Sequence, residues 1–103
     1  MGMECAVTFR AEEPTWNAIR TRVESGGSTV LMRMIDGMPA LPDEEPPEDW
    51  REIRVSLGGG MLTLRREPGR MRVVVWGNAD EALKRDQKTL AQACAEVGGG
   101  FVA

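Results

Sequence analysis

Apolar and polar residues alternate from Glu4 to Arg10, with Cys5, Val7 and Phe9 on one side and Glu4, Ala6, Thr8 and Arg10 on the other. A period of two is that of a strand buried on one face. The period then changes. Trp16, Ile19 and Val23 recur at i, i+3 and i+7, separated by Asn17, Arg20 and Glu24, which predicts a short amphipathic helix. Pro14 suits its first turn, Glu12 and Glu13 suit its positive end, and Gly26-Gly27 ends it. Thr29 to Ile35 predicts a second strand, with Val30, Met32 and Met34 facing the core and Leu31, Arg33 and Ile35 facing away.

Asp36-Gly37 turns the chain into a stretch, 38–49, that holds Pro39, Pro42, Pro46 and Pro47 together with five acids. Prolines lack a backbone donor and like charges repel, so a mobile surface loop without strand or stable helix is expected there. A meander comes next. Ile53, Val55 and Leu57 alternate with Glu52, Arg54 and Ser56; Gly58-Gly59-Gly60 makes a hairpin loop; Leu62 and Leu64 carry the next strand. Pro68-Gly69 has the chemistry of a type II turn. Met71, Val73 and Val75 then point inward, with Arg70, Arg72, Val74 and Trp76 outward. A last helix is expected from an Asn78 cap with Glu81 three residues on, striped by Leu83, Leu90, Cys94 and Val97 and stopped by Gly98-Gly99-Gly100. Ala82 and Ala93 broaden that stripe, and Glu81 and Arg85 are spaced to pair. Phe101-Val102-Ala103 reads as a short final strand or a frayed tail.

The order β-α-β-β-β-β-α predicts one α+β domain over residues 1–103. Its architecture is a two-layer sandwich, an antiparallel sheet with both helices on one face. Composition agrees: 42% hydrophobic and 28% charged residues are the proportions of a globular chain. No apolar run approaches the roughly 20 residues of a membrane span, and Met1–Val7 lacks the basic and apolar regions of a signal peptide. Cys5 and Cys94 therefore read as free thiols in a reducing cytoplasm.

Chemistry is sparse. The chain has no His and no Tyr, hence no imidazole acid–base group, no Ser–His or Cys–His pair and not the commonest metal ligand. Two Cys 89 positions apart form no C-x-x-C pair. Neither G-x-x-x-x-G-K-[ST] nor G-x-G-x-x-G occurs, and the acidic loop lacks the spacing of a calcium loop. No catalytic residue, cofactor or metal is assigned, and the expectation leans away from an enzyme.

Charge is unevenly placed: residues 1–49 carry ten acids and four bases, residues 50–103 six acids and nine bases. If the alternation holds, the sheet face away from the helices gathers Arg10, Arg33, Arg54, Arg65, Arg70 and Arg72, interleaved with Leu31, Ile35, Met61, Val74 and Trp76. Arg, Met and Trp are enriched in protein interfaces, and so large an apolar patch is more than a monomer normally exposes. The expected role is a non-catalytic interaction or regulatory module. It would form a homodimer, or bind a protein partner, through Trp76, Val74, Arg72, Arg65, Arg33, Arg54, Leu31 and Ile35. The alternative is a nucleic-acid-binding domain that uses the same arginines with Trp76 as a stacking platform. Trp16 and Trp50 are expected in the core.

Overall fold

A computed structural model describes residues 3–10, 12–58, 60–76 and 80–102. The elements run β1 (Met3–Thr8), α1 (Trp16–Ser25), β2 (Leu31–Ile35), β3 (Met38–Pro39), β4 (Glu52–Ser56), β5 (Met61–Glu67), β6 (Arg70–Val75), α2 (Glu81–Gly98) and β7 (Phe101–Val102). The strands form one antiparallel sheet in the order β3-β2-β4-β5-β6-β1-β7. This is the α+β sandwich the alternation predicts, with Phe101-Val102 as its last strand. No helix among the described residues is long and apolar enough to cross a membrane.

The meander β4–β5–β6 is the centre of the sheet. Its turns use Gly58 and Gly60 at φ 119° and 135°, then Pro68-Gly69 with Gly69 at φ 74°. Side chains from alternate positions, among them Val7, Ile53, Val55, Leu62, Leu64, Met71, Val73 and Val75, form one core with Trp16, Ile19 and Val23 of α1 and Leu90 and Cys94 of α2. Each fully buried aliphatic side chain stabilises the fold by roughly 1.5–3 kcal/mol. Trp16 and Trp50 lie in this core, as expected.

α2 lies over β6, β1 and β7 and carries small residues, Ala91, Ala95 and Gly98, at buried positions. At Gly98 a Cβ would stand 2.6 Å from Cε1 of the Phe9 ring, so any side chain there displaces the ring. Gly99, at φ 62°, ends the helix and lets the chain drop onto β1 as β7. α1 packs beside α2, tied to it by the Arg22–Glu96 ion pair.

Several local expectations are corrected. α1 begins at Trp16 with Thr15 as cap, its hydroxyl accepting the Ala18 N–H, so Pro14 precedes the helix rather than opening it. α2 is capped by Asp80, whose carboxylate accepts the Leu83 N–H; Asn78 lies outside the described residues. Ala82 is exposed on that helix. Gln87, one turn before Ala91, is buried instead and donates to the Val73 carbonyl at 2.9 Å. Among the described residues the i,i+4 ion pair on a helix is Arg20–Glu24 of α1, and Glu81–Arg85 does not form one.

The segment after Asp36 is more structured than its prolines and acids suggest. Met38–Pro39 pairs with β2 as an edge strand, a place where a missing N–H is tolerated. Met32 N–H donates to the Pro42 carbonyl and Ala40 N–H to Arg33. The turn before it is an Asp-Gly hairpin with Asp36 at φ 49° and Gly37 at φ 83°, the conformation of a type I′ turn. Asp36 Oδ1 also accepts the N–H groups of Arg51 and Glu52, at 2.8 and 2.9 Å. Those donors, Glu52 first, hold its carboxyl below its ordinary pKa, assisted by the nearby Arg51 charge.

This packing sets two expected outcomes. Gly98→Ala forces Phe9 to move and is expected to cost about 1–3 kcal/mol, read as a lower melting temperature by circular dichroism. Asp36→Ala removes the acceptor of two N–H groups and is expected to cost on the order of 1 kcal/mol at pH 7. Because the folded-state pKa of Asp36 is depressed, its contribution is complete above the unfolded value, about pH 4, and is lost as pH falls below it. The gap in melting temperature between wild type and Asp36→Ala should therefore narrow from pH 7 to pH 3.

Candidate functional site

The sheet face away from the helices is built from the other half of each alternation. Register fixes its rows. Leu31 pairs Ser56, and Ser56 pairs Met61; continued two residues beyond Thr63–Val74, the same register sets Met61 opposite Trp76. Arg54, Thr63, Val74 and Glu4 form the next row. Glu52, Arg65 and Arg72 form the third, and Glu67 pairs Arg70 at the far end.

Ile35 does not belong to this face. A β-bulge between Met32 and Met34 inserts Arg33 as an extra residue, which reverses the phase of the remainder of β2. Ile35 then pairs Ile53 and is buried, 9% exposed, while Met34 moves beside Arg54 on the open side. Nothing in the alternation of β2 announces a bulge, so the pattern alone misses Met34 as a surface residue and misplaces Ile35.

The first row is apolar and exposed: Trp76 at 52%, Met61 at 46% and Leu31 at 36%. Val74 is in the expected row but buried at 2%, with its neighbour Thr63. Both lie in register between Arg65 and Trp76, and the Arg65 guanidinium stacks over the Trp76 ring at 5.5 Å. The stack spans Thr63 and Val74. Val74 is thus a support under the patch rather than part of its accessible surface.

Three of the six arginines, Arg65, Arg70 and Arg72, are paired within the face. Arg65 donates to Glu52 at 2.7 Å. Arg72 reaches Glu67 at 2.9 Å and Glu4 at 2.6 Å; Glu67 first, then Glu4, pushes its pKa up. Arg70 lies 4.0 Å from Glu67, and Arg10 stacks on Phe101 at 5.6 Å. Arg33 and Arg54 form no ion pair among the described residues. The same alternation that places the arginines outward places Glu4, Glu52 and Glu67 there too, and adjacency of β1, β4, β5 and β6 brings the signs together. The acidic 43–49 loop does not cross this face; it lies on the other side, near the start of α1.

No three His, Cys, Asp or Glu side chains among the described residues are grouped to hold a metal. Cys94 is fully buried, and burial pushes its thiol up to about 12; a thiol so raised does not supply a thiolate near neutral pH. Cys5 is half-buried on the helix-covered side of β1. Compared with protein families, curated proteins and solved structures, the chain matches none of them.

In the native protein at pH 8, a thiol reagent such as dithiobisnitrobenzoate is expected to modify at most Cys5. Denaturant should release the second thiol. Fast modification of both without denaturant would contradict the burial of Cys94.

Proposed function

We propose that this chain is a non-catalytic interaction module of the cytoplasm that self-associates through its open sheet face. The exposed row of Leu31, Met61 and Trp76, flanked by Met34, carries the reading. Removing such a row from water is favourable at roughly 25 cal/mol per Å², and Arg65 and Arg72 enter such a contact with their carboxylate partners already in place.

A second copy is the occupant that the row itself favours. An isologous contact places each patch against its own copy. With the two-fold axis along the strands between β4 and β5, the row meets itself reversed. Trp76 then lies over the partner copy's Leu31, and Met61 over its small Ser56. Two rows on, Glu52 faces the guanidinium of the other copy's Arg65, so opposite charges meet. The molecule measures 33 × 28 × 27 Å, so one full face is comparable with the roughly 800 Å² per partner of a standard interface.

Nucleic-acid binding is the alternative. It draws on Arg33 and Arg54, which lack ion-pair partners among the described residues, but a phosphate backbone would have to displace Glu4, Glu52 and Glu67 from the remaining guanidiniums. The net charge of −3 opposes it as well.

Light scattering on the eluting peak is expected to give twice the chain mass for wild type. Trp76→Glu, at an exposed position, is expected to remain folded by circular dichroism and to elute as a monomer. A wild-type monomer at roughly 100 μM, where a contact of about 5 kcal/mol is already visible, would end the self-association reading. Salt-sensitive binding of generic single- or double-stranded DNA or RNA would instead favour the alternative.

A further inference from the structure

The acidic loop forms a second surface, opposite the open sheet face. Segment 45–50 and the chain entering α1 enclose a groove of about 570 Å³, within the roughly 300–1,000 Å³ of clefts that hold small ligands or short peptide segments. Pro14, Trp16, Pro46, Pro47 and Trp50 supply its apolar lining. Both tryptophans are core residues, so the floor is held by the fold.

One guanidinium is already seated at its wall. Arg66 stacks over the Trp50 ring at 5.1 Å and donates to Glu13 Oε2 at 3.1 Å and to the carbonyls of Glu48 and Trp50 at 2.7 and 3.0 Å. That arrangement engages the Glu13 carboxylate. The carboxylates of Glu45, Glu48 and Asp49, on the facing side, have no ion-pair or hydrogen-bond partner among the described residues.

We propose that this groove docks an extended, arginine-bearing segment of a partner protein. Charge complementarity chooses the occupant. Three unpaired carboxylates line a groove whose accessible apolar part is Pro14, Pro46 and Pro47, so the ligand must bring cations together with surface that can lie on proline rings. Arginine does both, since its stem packs on apolar rings while its fork meets carboxylates. Arg66 is the intramolecular example of that contact. The groove lies on a different face from Leu31, Met61 and Trp76, so its occupancy does not require the dimer.

The test is calorimetric titration of the full chain with a synthetic hexaarginine peptide at low and physiological salt. Saturable one-to-one binding per chain is expected. It should weaken at least tenfold in Glu45→Gln/Glu48→Gln/Asp49→Asn, whose exposed loop positions keep the fold, verified by an unchanged melting temperature. Trp76→Glu should bind as wild type does, even as a monomer, which separates this surface from the sheet face. Spermine, a polycation whose ammonium groups lack the planar guanidinium fork, should bind at least tenfold more weakly than the peptide. Equal affinity of the triple variant, equal affinity for spermine, or no saturable binding at low salt would each overturn the proposal.

Discussion

The architecture depends on how near α2 can come to β1 and β6. A helix settles onto a sheet only as closely as its side chains allow, and at Gly98 the ring of Phe9 already occupies the place of a Cβ. Alanines at 91 and 95 extend that low profile along the helix. The close fit places the helix C-terminus over β1, and Gly99 then turns the chain so that β7 pairs beside it. With α2 fixed over one half of the sheet, α1 completes the cover, and the large apolar side chains of that face are used in one core.

The opposite face inherits what remains, and its character comes from pairing across strands rather than from any one residue. Six arginines there could make a strongly positive surface. Glu4, Glu52 and Glu67 pair with three of them, Arg65, Arg70 and Arg72, and leave the positive charge reduced. Exposed ion pairs of this kind contribute little to stability, but they decide which contacts the face favours. Half of the guanidiniums are matched within the face, and the apolar row at one end is the part with most to gain from being covered.

Much of this is legible in the chain. The period-two runs locate β1, β4, β5 and β6, and the 3.6-residue pattern locates both helices, because each element has one saturated apolar face. The alternation places the arginines, Leu31, Met61 and Trp76 on the open side for the same reason. Apart from the helix caps, which are local, the failures share a physical cause: they depend on neighbours remote in sequence. The bulge at Arg33 reflects how β2 must fit against β4, and it exchanges the roles of Met34 and Ile35. Gln87 is buried because a carbonyl of β6 waits for its amide. The acidic loop sits beside α1 because Arg66, at the helix-side end of β5, binds its carbonyls. Strand order, which a single sequence does not display, is what joins Arg72 to Glu4 across 68 positions.

The outermost strands, β3 and β7, have only two residues each. So short a ladder offers an incoming strand too few donors and acceptors to hold it, and Pro39 removes one donor more. Side-by-side growth of the sheet, the route to open-ended filaments, therefore finds no long ladder on either of these two strands. Contacts through the broad surfaces need no ladder, and a broad surface consumed by its own copy leaves nothing for a third to join.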